Sequence, residues 1–214
     1  MPKIMLLGPP GSGKGTQARV IKEDFGIPVI ATGDLLRKNI AERTALGRAA
    51  GSYMEAGGLV PDYLVVDLFV SRLAEDDTKS GWLLDGFPRT VPQADALDKL
   101  LEERGEKLER VFLLEVPKGL LIRRITGRRV CPVCNSVYHI DSMPPKEPGI
   151  CDFDGAALIT RDDDDEETAE NRIDIYNELT SPLVDYYESR GVLTKIDGTI
   201  GTERVEQKIR ATLA

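Results

Sequence analysis

Gly8-Pro9-Pro10-Gly11-Ser12-Gly13-Lys14 decides the fold. The stretch matches G-x-x-x-x-G-K, follows the apolar run Lys3–Leu7 and opens a helical pattern over Gly13–Asp24. A strand before and a helix after are the context that gives this motif its meaning. The glycines let consecutive backbone N–H groups of Gly11, Ser12, Gly13, Lys14, Gly15 and Thr16 turn toward phosphate oxygens. The helix adds its positive end, and Lys14 reaches the β- and γ-phosphates. The residue after the lysine is Gly15, with the first hydroxyl one place later at Thr16. A direct hydroxyl ligand to Mg²⁺ is therefore displaced, and the metal is expected to be held mainly by nucleotide phosphates and water, which Mg²⁺ tolerates.

Outward from this loop, short apolar runs alternate with longer amphipathic segments, the pattern of an α/β protein with a parallel sheet. Strands are expected at Lys3–Leu7, Pro28–Ala31, Trp82–Asp85, Arg110–Glu115 and Val192–Ile196. Helices are expected at Gly13–Asp24, Val91–Arg104, Gly119–Thr126 and Glu203–Leu213. Two stretches break the rhythm. Residues 32–61 string together helical pieces and glycines without a strand signal, and residues 127–164 are rich in Pro, Gly and Cys with β-like pieces such as 136–140. Both read as excursions from a core formed by 1–31, 62–126 and 165–214. The acidic run Asp162–Glu167 predicts a solvated helix N-terminus, leading a long helical pattern that ends near Arg190.

Charge and composition narrow the partners. A net charge of -8 opposes a general nucleic-acid binder, which needs a basic face. It leaves room for a mononucleotide, because a few convergent arginines can hold one polyanion. No apolar run approaches the roughly 18 residues that cross a bilayer. The apolar start is too short for a secretory signal, so a cytoplasmic location is expected and no membrane partner.

Lys14-Gly15-Thr16, Thr32-Gly33-Asp34-Leu35-Leu36-Arg37 and Asp85-Gly86-Phe87-Pro88-Arg89-Thr90 together resemble the adenylate kinases. The likeness continues through Gly127-Arg128-Arg129, Thr160-Arg161-Asp162-Asp163 and Asn171-Arg172, in order along nearly the whole chain. It implies a P-loop nucleoside monophosphate kinase fold, a parallel sheet flanked by helices, acting as a monomer on ATP, AMP and ADP. Residues 32–61 would be a helical AMP-binding insertion, and residues 127–164 a small β-rich lid in the long form. By this resemblance Thr32, Arg37, the Gly58-Leu59-Val60 backbone, Gly86, Phe87, Pro88, Arg89, Gln93, Arg161 and Arg172 would hold AMP. Gln93 can offer both a donor and an acceptor to adenine's edge. Many relatives carry Lys where this chain has Gly58, so a side-chain contact there is missing. Arg128 with Val137 and Tyr138 would cover ATP, and Ile200 would touch its adenine through the backbone.

The chemistry supports the same residues. Asp85 ends an apolar strand, where a carboxylate can orient Mg²⁺ waters beside the phosphate loop. Arg89, Arg124, Arg128, Arg161 and Arg172 lie in separate segments that the fold could gather, with Lys14 and Asp85, around a transferring phosphoryl group. Phosphoryl transfer asks mostly for positioning and charge stabilisation, which the planar guanidinium fork supplies without ever losing its charge.

Cys131-x2-Cys134-x16-Cys151-x2-Asp154 reads as two facing knuckles that offer a tetrahedral, structural Zn²⁺ set. His139 is the rival fourth ligand, and three free thiols are the alternative without metal. A kinase for UMP or CMP is the nearest competing activity. A GTPase switch lacks an N-K-x-D signature, and a nucleic-acid-binding zinc ribbon is opposed by the acidic balance.

Overall fold

A computed structural model describes residues 1–213. Its centre is a five-stranded parallel sheet in the order β2-β3-β1-β4-β7. The strands are β1 (Lys3–Leu7), β2 (Val29–Ala31), β3 (Trp82–Asp85), β4 (Arg110–Glu115) and β7 (Leu193–Asp197). All five expected strands form, with bounds shifted by one residue at β2 and β7. They read as apolar runs because both faces of the sheet are covered. Met5, Leu7, Trp82, Leu84, Val111 and Leu113 point into one core. Their alternate neighbours Ile4, Leu6, Leu83, Phe112, Leu114 and Ile196 point into the other. Phe112 is wholly buried, so truncating it to Ala should cost about 3–5 kcal/mol.

The second face is covered by α1 (Lys14–Phe25) and α9 (Thr202–Leu213) through Ala18, Ile21, Val205 and Ile209. The first is covered by α4 (Asp62–Leu73), α5 (Val91–Glu103) and α8 (Leu183–Glu188). Helix α4 is additional to those expected from the sequence; its stripe Val65, Phe69 and Leu73 is buried at four-residue spacing. Residues 32–61 form α2 (Thr32–Ala41) and α3 (Ala45–Glu55), packed on each other. After α6 (Lys118–Thr126), residues 127–164 contain the antiparallel pair β5 (Arg128–Val130) and β6 (Val137–His139). Their ladder is extended by a bridge in which Val130 and Ile159 exchange both backbone hydrogen bonds, at 2.8 and 2.9 Å.

The long helix expected up to Arg190 is instead interrupted. Helix α7 (Glu166–Ile175) passes into a π-helical turn over Tyr176–Thr180, and α8 starts after Pro182. Proline cannot donate the ladder hydrogen bond and crowds the preceding turn, so an unbroken α-helix cannot run through it. No helix among the described residues is long and apolar enough to cross a membrane.

Candidate active site

The phosphate loop leaves the C-terminal end of β1, between β3 and β4, where open α/β sheets place their ligands. Gly8 and Gly13 adopt φ of 147° and 101°, conformations that a side chain resists. A Cβ on Gly8 would meet the Leu114 carbonyl at 2.8 Å. Helix α1 has Gly13 at its N-cap and no side-chain cap, whereas α3, α5 and α7 are capped by Thr44, Thr90 and Asp165. Its first N–H groups are left for an external acceptor. Ser12 Oγ is buried without a hydrogen-bond partner among the described residues. Lys14 Nζ donates to the carbonyls of Gly8 at 2.6 Å and Pro9 at 3.0 Å. Burial, only partly offset by Asp85, draws its pKa down to about 8. The same burial pushes the Asp85 carboxyl upward, with Lys14 pulling against it.

Next to the loop, β3 carries Asp85 at the height of Leu6 in β1. The chain then folds back on itself at Gly86, whose carbonyl accepts from Thr32 Oγ1 at 2.7 Å and Arg89 Nε at 2.9 Å. Gln93 accepts from the Arg89 backbone N–H at 2.7 Å and donates to Asp62 at 2.7 Å. Each of its amide atoms therefore keeps one further bonding position. Gly58, Leu59, Val60 and Pro88 line the same cleft. Phe87 does not: it is 1% exposed and stacks on Phe69 with ring centroids 4.4 Å apart. Its side chain is core, so only its backbone, between Gly86 and Pro88, is placed toward the cleft.

The cleft encloses about 810 Å³, and Arg37, Arg89, Arg124, Arg128, Arg161 and Arg172 all line it with Lys14 and Asp85. Burial, and then the neighbouring Arg172, lower the Arg89 pKa to about 10. Arg161 is drawn to about 10 by burial and Arg37. Both stay charged at neutral pH, so the cleft holds mutually repelling cations. Carboxylates keep them in place. Arg37 pairs with Asp34 at 2.6 Å and Arg161 with the same oxygen at 3.6 Å. Arg172 meets Asp163 at 3.0 Å and Asp164 at 3.4 Å, and Arg128 forms a two-pronged pair with Asp164. Arg124 donates to the Gly198 carbonyl at 3.0 Å.

These aspartates overturn the reading of 162–167 as a solvated helix start. Asp164 is 2% exposed and belongs to the arginine network. The rest behaves as expected: Asp162 is exposed, Asp165 caps α7, and Glu166 and Glu167 lie in its first turn. The sequence signal available was the adjacency of Asp163 and Asp164 to Thr160-Arg161.

Above the loop, Val137 and Tyr138 face the cleft on β6, but the Tyr138 ring packs between Cys131 and Cys151. Its hydroxyl accepts from the Asp152 N–H at 2.8 Å, so only its backbone is free for a ligand. Ile200 packs its side chain against the core beneath α9 and does not line the cleft, whereas its neighbours Thr199 and Gly201 do. Cys131, Cys134, Cys151 and Asp154 bring four ligand atoms within 4.8 Å of one another, a spacing compatible with zinc. His139 is engaged elsewhere. Its Nε2 donates to the Arg123 carbonyl at 3.0 Å, while Nδ1 accepts from the Asp141 and Ser142 N–H groups at 3.0 and 3.2 Å.

A parallel sheet whose central loop offers uncapped N–H groups to a cleft walled by guanidinium groups makes this a P-loop phosphotransferase. The adenylate kinase family profile matches residues 6–192. The chain is 51% identical over 211 residues to an adenylate kinase of Clostridium acetobutylicum, covering 99% of this chain and 98% of that one. It is 51% identical over 207 residues to one from Clostridium perfringens, covering 97% and 96%. One from Finegoldia magna is 49% identical over 207 residues, covering 97% and 96%. The chain belongs to the adenylate kinase family.

Proposed function

We propose the following division of labour for the family's reaction, ATP + AMP = 2 ADP, which this chain catalyses. A phosphate oxygen of AMP attacks the γ-phosphorus of ATP in line. That O–P bond forms as the bond from the γ-phosphorus to the bridging oxygen breaks, and ADP leaves on each side. Lys14 and the uncapped start of α1 hold the ATP phosphates. Arg124, Arg128, Arg161 and Arg172 neutralise charge on the transferring group, and Arg37 and Arg89 hold the AMP phosphate. No proton transfer from a side chain is needed. Mg²⁺ brought in with the nucleotide would offset phosphate charge, and Asp85 is the residue that would orient its waters. Closure of 127–164 keeps water from the γ-phosphate. One chain supplies every group, so the enzyme is read as a monomer that balances adenine nucleotides in the cytoplasm. The convergence of Arg37, Arg89, Arg124, Arg128, Arg161 and Arg172 with Lys14 in one cleft is the observation that carries this reading.

A coupled assay of ATP against AMP, UMP, CMP and GMP tests it. AMP should be favoured over UMP and CMP by about a hundredfold or more in kcat/KM, because an unpaired buried amide at Gln93 penalises the wrong base strongly. Equal turnover of UMP or CMP would move the chain to the pyrimidine nucleotide kinases.

A second test uses the lowered Lys14 pKa of about 8. A polyphosphate beside Lys14 stabilises its charged form and raises that pKa. Near pH 8 the complex therefore binds more protons than the free protein, by about half a proton per ATP bound, and the uptake vanishes well below pH 7. Calorimetric ATP binding in buffers of different ionisation enthalpy measures this. An enthalpy independent of the buffer at pH 8 would contradict it.

A further inference from the structure

We infer that Asp62 sets the base specificity of the AMP site by fixing which way the Gln93 amide faces; the inference rests on reading Gln93 as the group that meets adenine. Gln93 is 2% exposed, and its amide lies between two partners of fixed chemistry. On one side the Arg89 backbone N–H, which can only donate, meets Oε1 at 2.7 Å. On the other the Asp62 carboxylate, which as an anion can only accept, meets Nε2 at 2.7 Å. Rotating the amide would set N–H against N–H on one side and oxygen against carboxylate on the other. One orientation survives.

That orientation leaves one lone pair on Oε1 and one hydrogen on Nε2. Adenine presents an amino N–H beside a ring nitrogen that accepts, which complements this pair. A 6-oxopurine presents the reverse, a carbonyl oxygen beside a ring N–H, and would need the rotated amide. Asp62 therefore excludes it without touching the base, which makes it a positioning residue. Its second oxygen strengthens the lock. It accepts from Thr90 Oγ1 at 2.9 Å, and Thr90 in turn accepts the Gln93 backbone N–H at 3.3 Å. One carboxylate thus holds both the side chain and the backbone of Gln93. Asp62 is the first residue of α4, where the helix dipole favours negative charge.

Steady-state kinetics with AMP and with IMP, its 6-oxo counterpart, on the full chain test the inference. Asp62→Ala should raise the KM for AMP about tenfold and lower the AMP-to-IMP ratio of kcat/KM about tenfold, with the KM for ATP within about twofold of the parent. Asp62→Asn still offers a carbonyl oxygen to Gln93 Nε2 and should restore most of the ratio. The double variant Asp62→Ala with Gln93→Ala should discriminate no worse than Gln93→Ala alone, because the first acts through the second. An unchanged ratio in folded Asp62→Ala, with a lowered ratio in Gln93→Ala, would overturn the inference alone. So would an equal rise in both KM values. An unchanged ratio in Gln93→Ala would instead remove the reading beneath it. If the alanine variant does not fold, Asp62→Ser, whose hydroxyl is too short to reach Gln93, carries the same expectations.

Discussion

Replacing Lys14 by Met leaves a folded protein whose phosphoryl transfer falls by about a hundredfold or more. Met has nearly the same length and brings no charge, so the packing around the loop is kept. Lys14 is desolvated where it stands, which is why its pKa is pulled to about 8. Removing a buried charge relieves that cost, while the Gly8 and Pro9 carbonyls lose their donor. The two effects oppose, and the melting temperature should stay close to the parent's. Catalysis has no such compensation. The arginines approach from the other walls of the cleft, and none replaces a cation rising from the loop itself. The coupled assay and a thermal melt, run on the same preparation, make the comparison. Near-normal turnover in a well-folded variant would reject the phosphate-loop assignment.

The second largest expected effect, on stability, is that of removing a metal from the cysteine cluster. The apolar cluster within 127–164 is small: Cys131, Tyr138 and Cys151, with Ala156 and Leu158 against them. A segment with so little to bury depends on another cross-link. We expect one zinc ion on Cys131, Cys134, Cys151 and Asp154, whose binding energy becomes local folding energy. Chelation or Cys131→Ser should lower the melting temperature by about 5 °C or more, since each kcal/mol is worth about 2–4 °C at this length. Hydrogen exchange should rise across 127–164 while the sheet stays protected. Part of the activity should persist at moderate temperature, because Lys14 and Asp85 lie outside the segment. Elemental analysis of protein purified without added metal gives the direct test, and a metal-free protein with unchanged melting would reject the site. Asp154→Ala should weaken binding, whereas His139→Ala should not, because both His139 nitrogens are already engaged.

The sheet and the phosphate loop were legible because their signals are local. Ile4–Leu7 and Trp82–Leu84 announce themselves as runs that water never reaches, and the loop is one contiguous motif. Directions of side chains were less legible. Nothing in Asp85-Gly86-Phe87-Pro88-Arg89 says that Phe87 turns to Phe69 while Arg89 turns to the cleft; the tertiary fold decides it. The roles of Asp163 and Asp164 were hidden for a related reason. Asp164 meets Arg128, 36 residues earlier, and a run of like charges reads as solvated until its distant partners are known. Likewise Pro182 was in plain view, but no residue pattern announces the π-helical turn over Tyr176–Thr180 before it.

Val130 and Ile159 lie 29 positions apart in the sequence, yet they are hydrogen-bonded neighbours. The chain leaves and returns through one narrow gate. Lengthening or shortening what lies between costs loop entropy that grows only as the logarithm of length. The cysteine-bearing segment can thus be traded for another without rethreading the sheet. Such an exchange would change how firmly residues 127–164 hold together and leave the phosphate loop at the mouth of β1 where it is.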